Sequence, residues 1–159
     1  CQTQSDPSIT ATAFERDYPW QVRMGGAWFP SNVLLVSADL IYNSPTYDDS
    51  GDSVLLSTVD GALGVEWYWS PKWALRSGLY TANANTPELA LGSINQAGHV
   101  DLIGATVSIT RFNQGSSISL GTLLNYGQGQ SQLFPTVASL LQTTTIVGGT
   151  VFFTTSYRY

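Results

Sequence analysis

The chain is 159 residues long, 43% hydrophobic and only 11% charged, with a formal net charge of −5. A soluble domain ordinarily carries about 25% charged residues, so a conventional solvated surface is excluded. No run of about 18 apolar residues occurs, which excludes a membrane-spanning helix, and Lys72 is the only lysine, so no basic patch exists to neutralise the phosphates of a nucleic acid. Two classes remain: a β-barrel whose outer wall meets lipid, or a secreted β-protein rich in Gly and Thr.

Residues 1–17 read as a polar N-terminal segment or an extracellular loop ahead of the strands in 18–159. Cys1 is the only cysteine, so neither a disulfide framework nor a cysteine-based metal site is available. Followed by the polar Gln2-Thr3-Gln4-Ser5, it has the form of a mature lipoprotein N-terminus, which makes Cys1 a lipidation candidate. Further along, period-two alternation and an abundance of β-branched and aromatic residues predict seven strands: Trp20–Phe29, Val33–Tyr42, Leu55–Trp69, Trp73–Thr81, Val100–Phe112, Ser117–Tyr126 and Thr145–Tyr159. Most are near the 9 to 11 residues that cross a bilayer at a tilt. Short helical pieces are predicted only over Pro87 to Ala97 and Pro135 to Gln142.

The alternation sorts these strands into two faces. In the second strand Leu34, Val36, Ala38, Leu40 and Tyr42 share a face opposite Ser37 and Asp39. In the third, Val59, Leu63, Val65, Trp67 and Trp69 oppose Asp60, Gly64 and Glu66; in the fourth, Trp73, Leu75 and Leu79 oppose Arg76 and Tyr80. The sixth and last strands sort likewise. A soluble sandwich also alternates, but its polar face meets water and carries more Lys and Glu. Here that face is mostly Ser, Thr, Gly and Asn, as an enclosed lumen requires. Trp20, Trp28, Trp67, Trp69, Trp73, Tyr157 and Tyr159 gather near strand ends, where barrels place girdles of aromatic rings at the two lipid–water interfaces.

Connections alternate in length. Pro30-Ser31-Asn32, Ser70-Pro71-Lys72 and Asn113-Gln114-Gly115 are tight, whereas Asn43–Val54, Ala82–His99 and Gly127–Thr144 are long and polar. Outer-membrane barrels keep short turns on the periplasmic side and long loops outside. The fold class predicted is therefore an all-β, antiparallel transmembrane barrel of outer-membrane type, about seven to eight strands in this chain. Bacterial single-chain barrels have an even number of strands. Either this is the C-terminal portion of a larger barrel, or Ile9–Phe14 adds a short eighth strand that places Cys1 in the periplasm.

No constellation for catalysis emerges. His99, the only histidine, stands beside Asp101 at the end of a long loop, without a G-x-S-x-G nucleophile elbow anywhere. Asp48-Asp49-Ser50-Gly51-Asp52 is oxygen-rich but lacks the closing Glu of an EF-hand loop, and reads as a solvated loop. No cofactor or metal is called for. The charged residues of the polar face, Arg23, Asp39, Asp60, Glu66 and Arg76, are the lumen-lining candidates. Inside a barrel they must pair or meet water, and neighbouring strands are expected to bring Arg23 to Asp39 and Glu66 to Arg76. The pairs Gly25-Gly26 and Gly148-Gly149 are candidate bends or bulges of the wall.

Several stretches resemble late strands of a known family. They are Phe14-Glu15-Arg16-Asp17-Tyr18-Pro19-Trp20 through Gly25-Gly26-Ala27-Trp28-Phe29-Pro30-Ser31, the run Leu35–Tyr42, and Trp69-Ser70-Pro71-Lys72-Trp73-Ala74-Leu75-Arg76-Ser77-Gly78-Leu79-Tyr80. The family is that of the outer-membrane long-chain fatty-acid transporters (the OmpP1/FadL/TodX group). Phe152-Phe153-Thr154-Thr155-Ser156-Tyr157-Arg158-Tyr159 resembles the terminal strand by which outer-membrane proteins engage the barrel-assembly machinery. The resemblance implies an outer-membrane location in a Gram-negative bacterium and transport of a hydrophobic ligand. Family members are larger, with fourteen strands and an N-terminal plug that has no counterpart here, and no ligand-binding residue is carried over. The alternative is a small lipid-anchored, structural or partner-binding barrel.

Overall fold

The computed structural model of the chain describes residues 19–47, 53–94, 96–132 and 141–157. Seven strands form one antiparallel sheet in simple sequential order: β1 (Gln21–Ser31), β2 (Leu34–Asn43), β5 (Thr58–Ser70), β6 (Trp73–Ala82), β7 (His99–Asn113), β8 (Ser116–Gln132) and β9 (Leu141–Tyr157). A separate two-stranded ribbon, β3 (Thr46–Tyr47) with β4 (Ser53–Leu55), rises from the connection between β2 and β5. No helix occurs among the described residues. Cys1, Tyr159 and the Asp48–Asp52 cluster lie outside them, as does the Ile9–Phe14 candidate strand.

β1–β2, β5–β6 and β7–β8 are joined by two-residue turns at one end of the sheet, the last using Gly115 at φ 77°. That left-handed conformation is one a side chain with a Cβ rarely adopts, which is why Gly stands there. All the longer connections fall at the other end. β1 and β9 are the two edges, each paired on one side only, so these seven strands leave the sheet open.

The registers extend across the sheet without slipping faces. Met24, Leu40 and Gly61 lie in one row; Leu75, Ile109, Leu120 and Phe153 lie in another on the same face. This apolar face is the exposed one. Leu63 is 60% accessible, Leu120 53% and Val151 75%. The other face is sheltered: Thr110 is 1% and Ser119 8% accessible, and Ala74 is fully buried. Bulky members of that face, among them Tyr68, Tyr80, Phe112, Leu123 and Phe152, are only half-exposed. The sheet is curled with its polar side inward, the reverse of a soluble sheet.

Four expectations are corrected. Pro87–Ala97 is not helical; Gln96 instead bonds the backbone of Ala90 and Ser93, and Gly92 sits at φ 100°. The segment Gly127–Thr144 is not all loop, since β8 runs on to Gln132 and β9 begins at Leu141, which makes the last two residues of the expected helical piece Pro135 to Gln142 strand, the rest of that piece lying outside the described residues. There the alternation of Gly with Gln and Thr is strand written in polar residues, and polarity marked a change of surroundings rather than the end of pairing. The predicted strand Leu55–Trp69 is broken at Leu56 and Ser57, so that Leu55 belongs to the ribbon. Gly25-Gly26 and Gly148-Gly149 carry no bulge: their registers are continuous, and the irregularities fall at Trp28/Ser31 and Trp67/Ser70, beside tight turns.

Candidate functional site: the sheltered polar face

Strand pairing brings the charged candidates of the polar face into two separate clusters. On β5 and β6, Glu66 and Arg76 are directly opposite each other. Arg76 Nη2 donates to Glu66 Oε1 at 2.8 Å, and its Nη1 donates to Thr110 Oγ1 on β7 at 3.1 Å. Thr110 Oγ1 lies 2.8 Å from Ser119 Oγ on β8. One guanidinium thus ties four strands together on a face where Glu66 keeps little exposure. A polar group withdrawn from water to this extent must find a partner, and Arg76, with its fixed fork of donors, supplies two bonds at once.

Arg23 and Asp39 form the second cluster, between β1 and β2. Their closest approach is 3.6 Å, with the Arg23 side chain 62% accessible, so the pair is looser and solvated. Asp60 joins neither: it accepts the backbone N–H of Asn83 at 2.7 Å and fastens the start of the β6–β7 connection. The charges therefore form two islands and a loop anchor rather than one continuous ladder.

Between the islands the wall is thin. Gly64 and Gly78 lie opposite each other on β5 and β6, flanked by Ser37 and Thr106, and border a depression of about 190 Å³ on the polar side. On the apolar side Gly26, Ala38 and Gly61 border an open depression of about 620 Å³, rimmed by Met24, Leu40, Leu63, Leu79 and Ile103. Both depressions owe their room to missing side chains.

Farther along the polar face, Tyr80 on β6 reaches past Gly104 on β7, and its hydroxyl donates to Asn125 Oδ1 on β8. Tyr68 and Phe112 stack at 5.9 Å, on β5 and β7 with the buried Ala74 on the strand between them. Sequence reasoning placed Tyr80, Ser119 and Asn125 on the polar face without giving them a role, and it did not name Tyr68 or Thr110. For Tyr68 the available signal was a ring two residues from Glu66 and so on the same face; the glycine opposite Tyr80 becomes readable only once the register is known.

The aromatic candidates line the opposite, exposed face at the strand ends. Trp67, Trp69 and Trp73 make a continuous group near the short turns, with successive centroids 6.1 Å apart and the Trp69–Trp73 pair nearly parallel. The Arg111 guanidinium lies 5.6 Å from the Trp73 ring centroid, within cation–π range. Trp28 and Tyr157 belong to the same end and are both well exposed. Trp20 packs on Tyr42 at 5.2 Å at the other end, where Tyr126 is also exposed. From Val59 to Trp69 the β5 strand rises about 33 Å, or about 25 Å in height at a tilt of about 40°.

His99 opens β7, and its Nδ1 lies 2.6 Å from the Thr86 carbonyl oxygen, while Asp101 accepts the N–H of Ala84 at 2.8 Å. Both residues thereby hold the backbone of the 83–98 connection at Thr86 and Ala84. Among the described residues no three His, Cys, Asp or Glu side chains converge as metal ligands. Compared with protein-family models and with curated protein sequences, the chain finds no match in either.

Proposed function

We propose that the sheet is a section of the wall of an outer-membrane β-barrel, and that the barrel carries long-chain fatty acids or other hydrophobic small molecules across that membrane. The observation that carries the membrane reading is the inverted exposure of the two faces. Leu63, Leu79, Ile103, Leu120, Leu124 and Val151 point outward across five adjacent strands, whereas Thr110, Ser119 and Glu66 are sheltered. An apolar surface this wide exceeds what a soluble monomer exposes. In lipid it needs no further cover, and the aromatic residues at both strand ends then occupy the headgroup levels.

The transport reading is supported by the resemblance of the strand–turn–strand segments to fatty-acid transporters and by a polar face floored with Gly, Ala and Ser, which leaves room for a passage. C-terminal strand recognition by the barrel-assembly machinery belongs to the same proposal. One observation favours a second reading, that of a structural or partner-binding barrel. The Glu66–Arg76–Thr110–Ser119 network and the Tyr80–Asn125 bond commit polar groups of the inner face to one another rather than to a ligand.

The test has two stages. Refolding of residues 1–159 into phosphatidylcholine vesicles, followed by flotation and circular dichroism, reads membrane insertion; a folded chain that stays in solution without lipid or detergent sinks the membrane reading. Uptake of a fluorescent long-chain fatty acid by cells producing the intact barrel then separates the two barrel readings. Uptake no faster than in cells lacking it favours the structural one.

A further inference from the structure

Two cations stand without a carboxylate partner at the short-turn end of the sheet. Arg111 on β7 is exposed on the apolar side, in one row with Trp73 on β6 and Ile118 on β8. Lys72, also exposed, precedes Trp73 in the β5–β6 turn, and its carbonyl oxygen accepts the N–H of Phe112 at 2.8 Å, which holds the turn beside Arg111. Among the described residues ion pairs form only at Arg23–Asp39 and Arg76–Glu66. Glu66, the one described carboxylate in this half of the sheet, is on the opposite face and is taken by Arg76. Asp60, Glu88 and Asp101 all stand toward the long-connection end. The outer surface beside the short turns is therefore positive.

Arg111 also marks the level at which the apolar band stops. Leu75, Ile109, Leu120 and Phe153 form the row just above it, about 7 Å along the strand. Two residues beyond Arg111 the strand ends at Asn113. A charge facing lipid is costly at the bilayer midplane and nearly free at the interface, so this is where the wall can carry one. The inference rests on the membrane reading, and in a bilayer that level is occupied by lipid headgroups. The Arg111 guanidinium lies 5.6 Å from the Trp73 ring centroid, and Trp73 is itself stacked on Trp69. A cation–π contact uses the charge of the guanidinium but none of its five N–H donors, which remain for an anion. A planar fork of donors fits a phosphate and grips it with two bonds. A zwitterionic headgroup would bring its own cation against Arg111 and Lys72, whereas a headgroup of net negative charge would not.

We infer that Arg111, set on Trp73 and flanked by Lys72, is a binding site for the phosphate of an anionic glycerophospholipid in the leaflet at the short-turn end. The acyl chains of that lipid lie against the band above, and the indole group marks the boundary between chain and headgroup.

Lipid-selective quenching tests this. Residues 1–159 carrying Trp20→Phe and Trp28→Phe are refolded into phosphatidylcholine vesicles with increasing fractions of a lipid brominated near the headgroup, either phosphatidylglycerol or phosphatidylcholine. Fluorescence of the Trp67–Trp69–Trp73 group reads which lipid lies against it. The mole fraction for half-maximal quenching is expected to be roughly fivefold lower for phosphatidylglycerol, the effect of one cation near an anionic surface. In Arg111→Gln the two fractions become equal, and Lys72→Gln, in a turn, narrows the difference. Equal quenching by both lipids in the parent chain overturns the inference, and so does a preference that survives Arg111→Gln. Should that variant not refold, a preference untouched by Lys72→Gln overturns it instead. Loss of the preference on adding inorganic phosphate at constant ionic strength assigns the cations to a free anion, which also overturns it. A chain that neither floats with the vesicles nor is quenched by either lipid removes the membrane reading and this inference together; flotation tells that failure from the others.

Discussion

The ring of Tyr80 on β6 lies so close over Gly104 on β7 that a Cβ at position 104 would overlap it. The two residues are direct cross-strand partners, and the absence of a side chain on one lets the ring of the other lie down across β7 toward Asn125 on β8. Cross-strand pairs of this kind stabilise a sheet locally. Gly121 stands in the same relation to the ring of Phe152 on β9.

Replacing Gly104 by Ala is therefore expected to destabilise the folded sheet by about 1–3 kcal/mol, the usual range for overpacking. Urea unfolding in vesicles, followed by tryptophan fluorescence, measures it. In the background of Tyr80→Ala the same change should cost much less, and a full cost there would mean that the ring is not the obstacle.

The two ion pairs should behave differently. Arg23→Ala removes an exposed pair and is expected to change stability by no more than about 0.5 kcal/mol. Arg76→Ala leaves Glu66 and Thr110 without their shared donor on a sheltered face, and about 1–2 kcal/mol is expected after allowance for the partial exposure of Arg76. Equal effects of the two substitutions in the same unfolding assay would contradict the geometry.

A charge walked across the wall reads the environment of each face. Leu63→Arg places a guanidinium on the apolar side, and in a bilayer should cost about 2–4 kcal/mol if this position is near the midplane. Ala62→Arg, one residue earlier and on the inner side, should cost less. For a soluble sheet the order reverses, because Leu63 is already exposed and Arg would be welcome there.

Tryptophan depth gives an independent check. Phospholipids brominated near the headgroup are expected to quench the Trp67–Trp69–Trp73 group more strongly than lipids brominated at the chain end. The signal of this group is isolated with Trp20→Phe and Trp28→Phe variants. Deeper quenching at the chain end would place the group away from an interface and remove the girdle from the argument.

How much of this was legible beforehand depends on the physical range of each feature. Period-two alternation is a local consequence of the pleat, so the seven main strands, the three tight turns and the membership of each face could be read from residue order alone. The opposition of Glu66 to Arg76 and the diagonal approach of Arg23 to Asp39 followed from face and strand adjacency once hairpins were assumed. The extension of β8 and β9 through Gly127–Gln132 and Leu141–Thr144 was missed because polar residues were equated with loops. The ribbon β3–β4 was missed because two- and three-residue strands carry no periodic signal.

What the sequence by itself determined is thus an all-β chain with one apolar and one small, polar face, for alternation is written into neighbouring residues. Only the tertiary structure decided that Arg76 reaches Thr110 on the next strand while Asp60 turns to a loop backbone, and that Tyr80 and Phe152 lie on glycines. Those outcomes depend on register and on the curl of the sheet. Both are set by pairing between residues far apart in the chain, which no local pattern encodes.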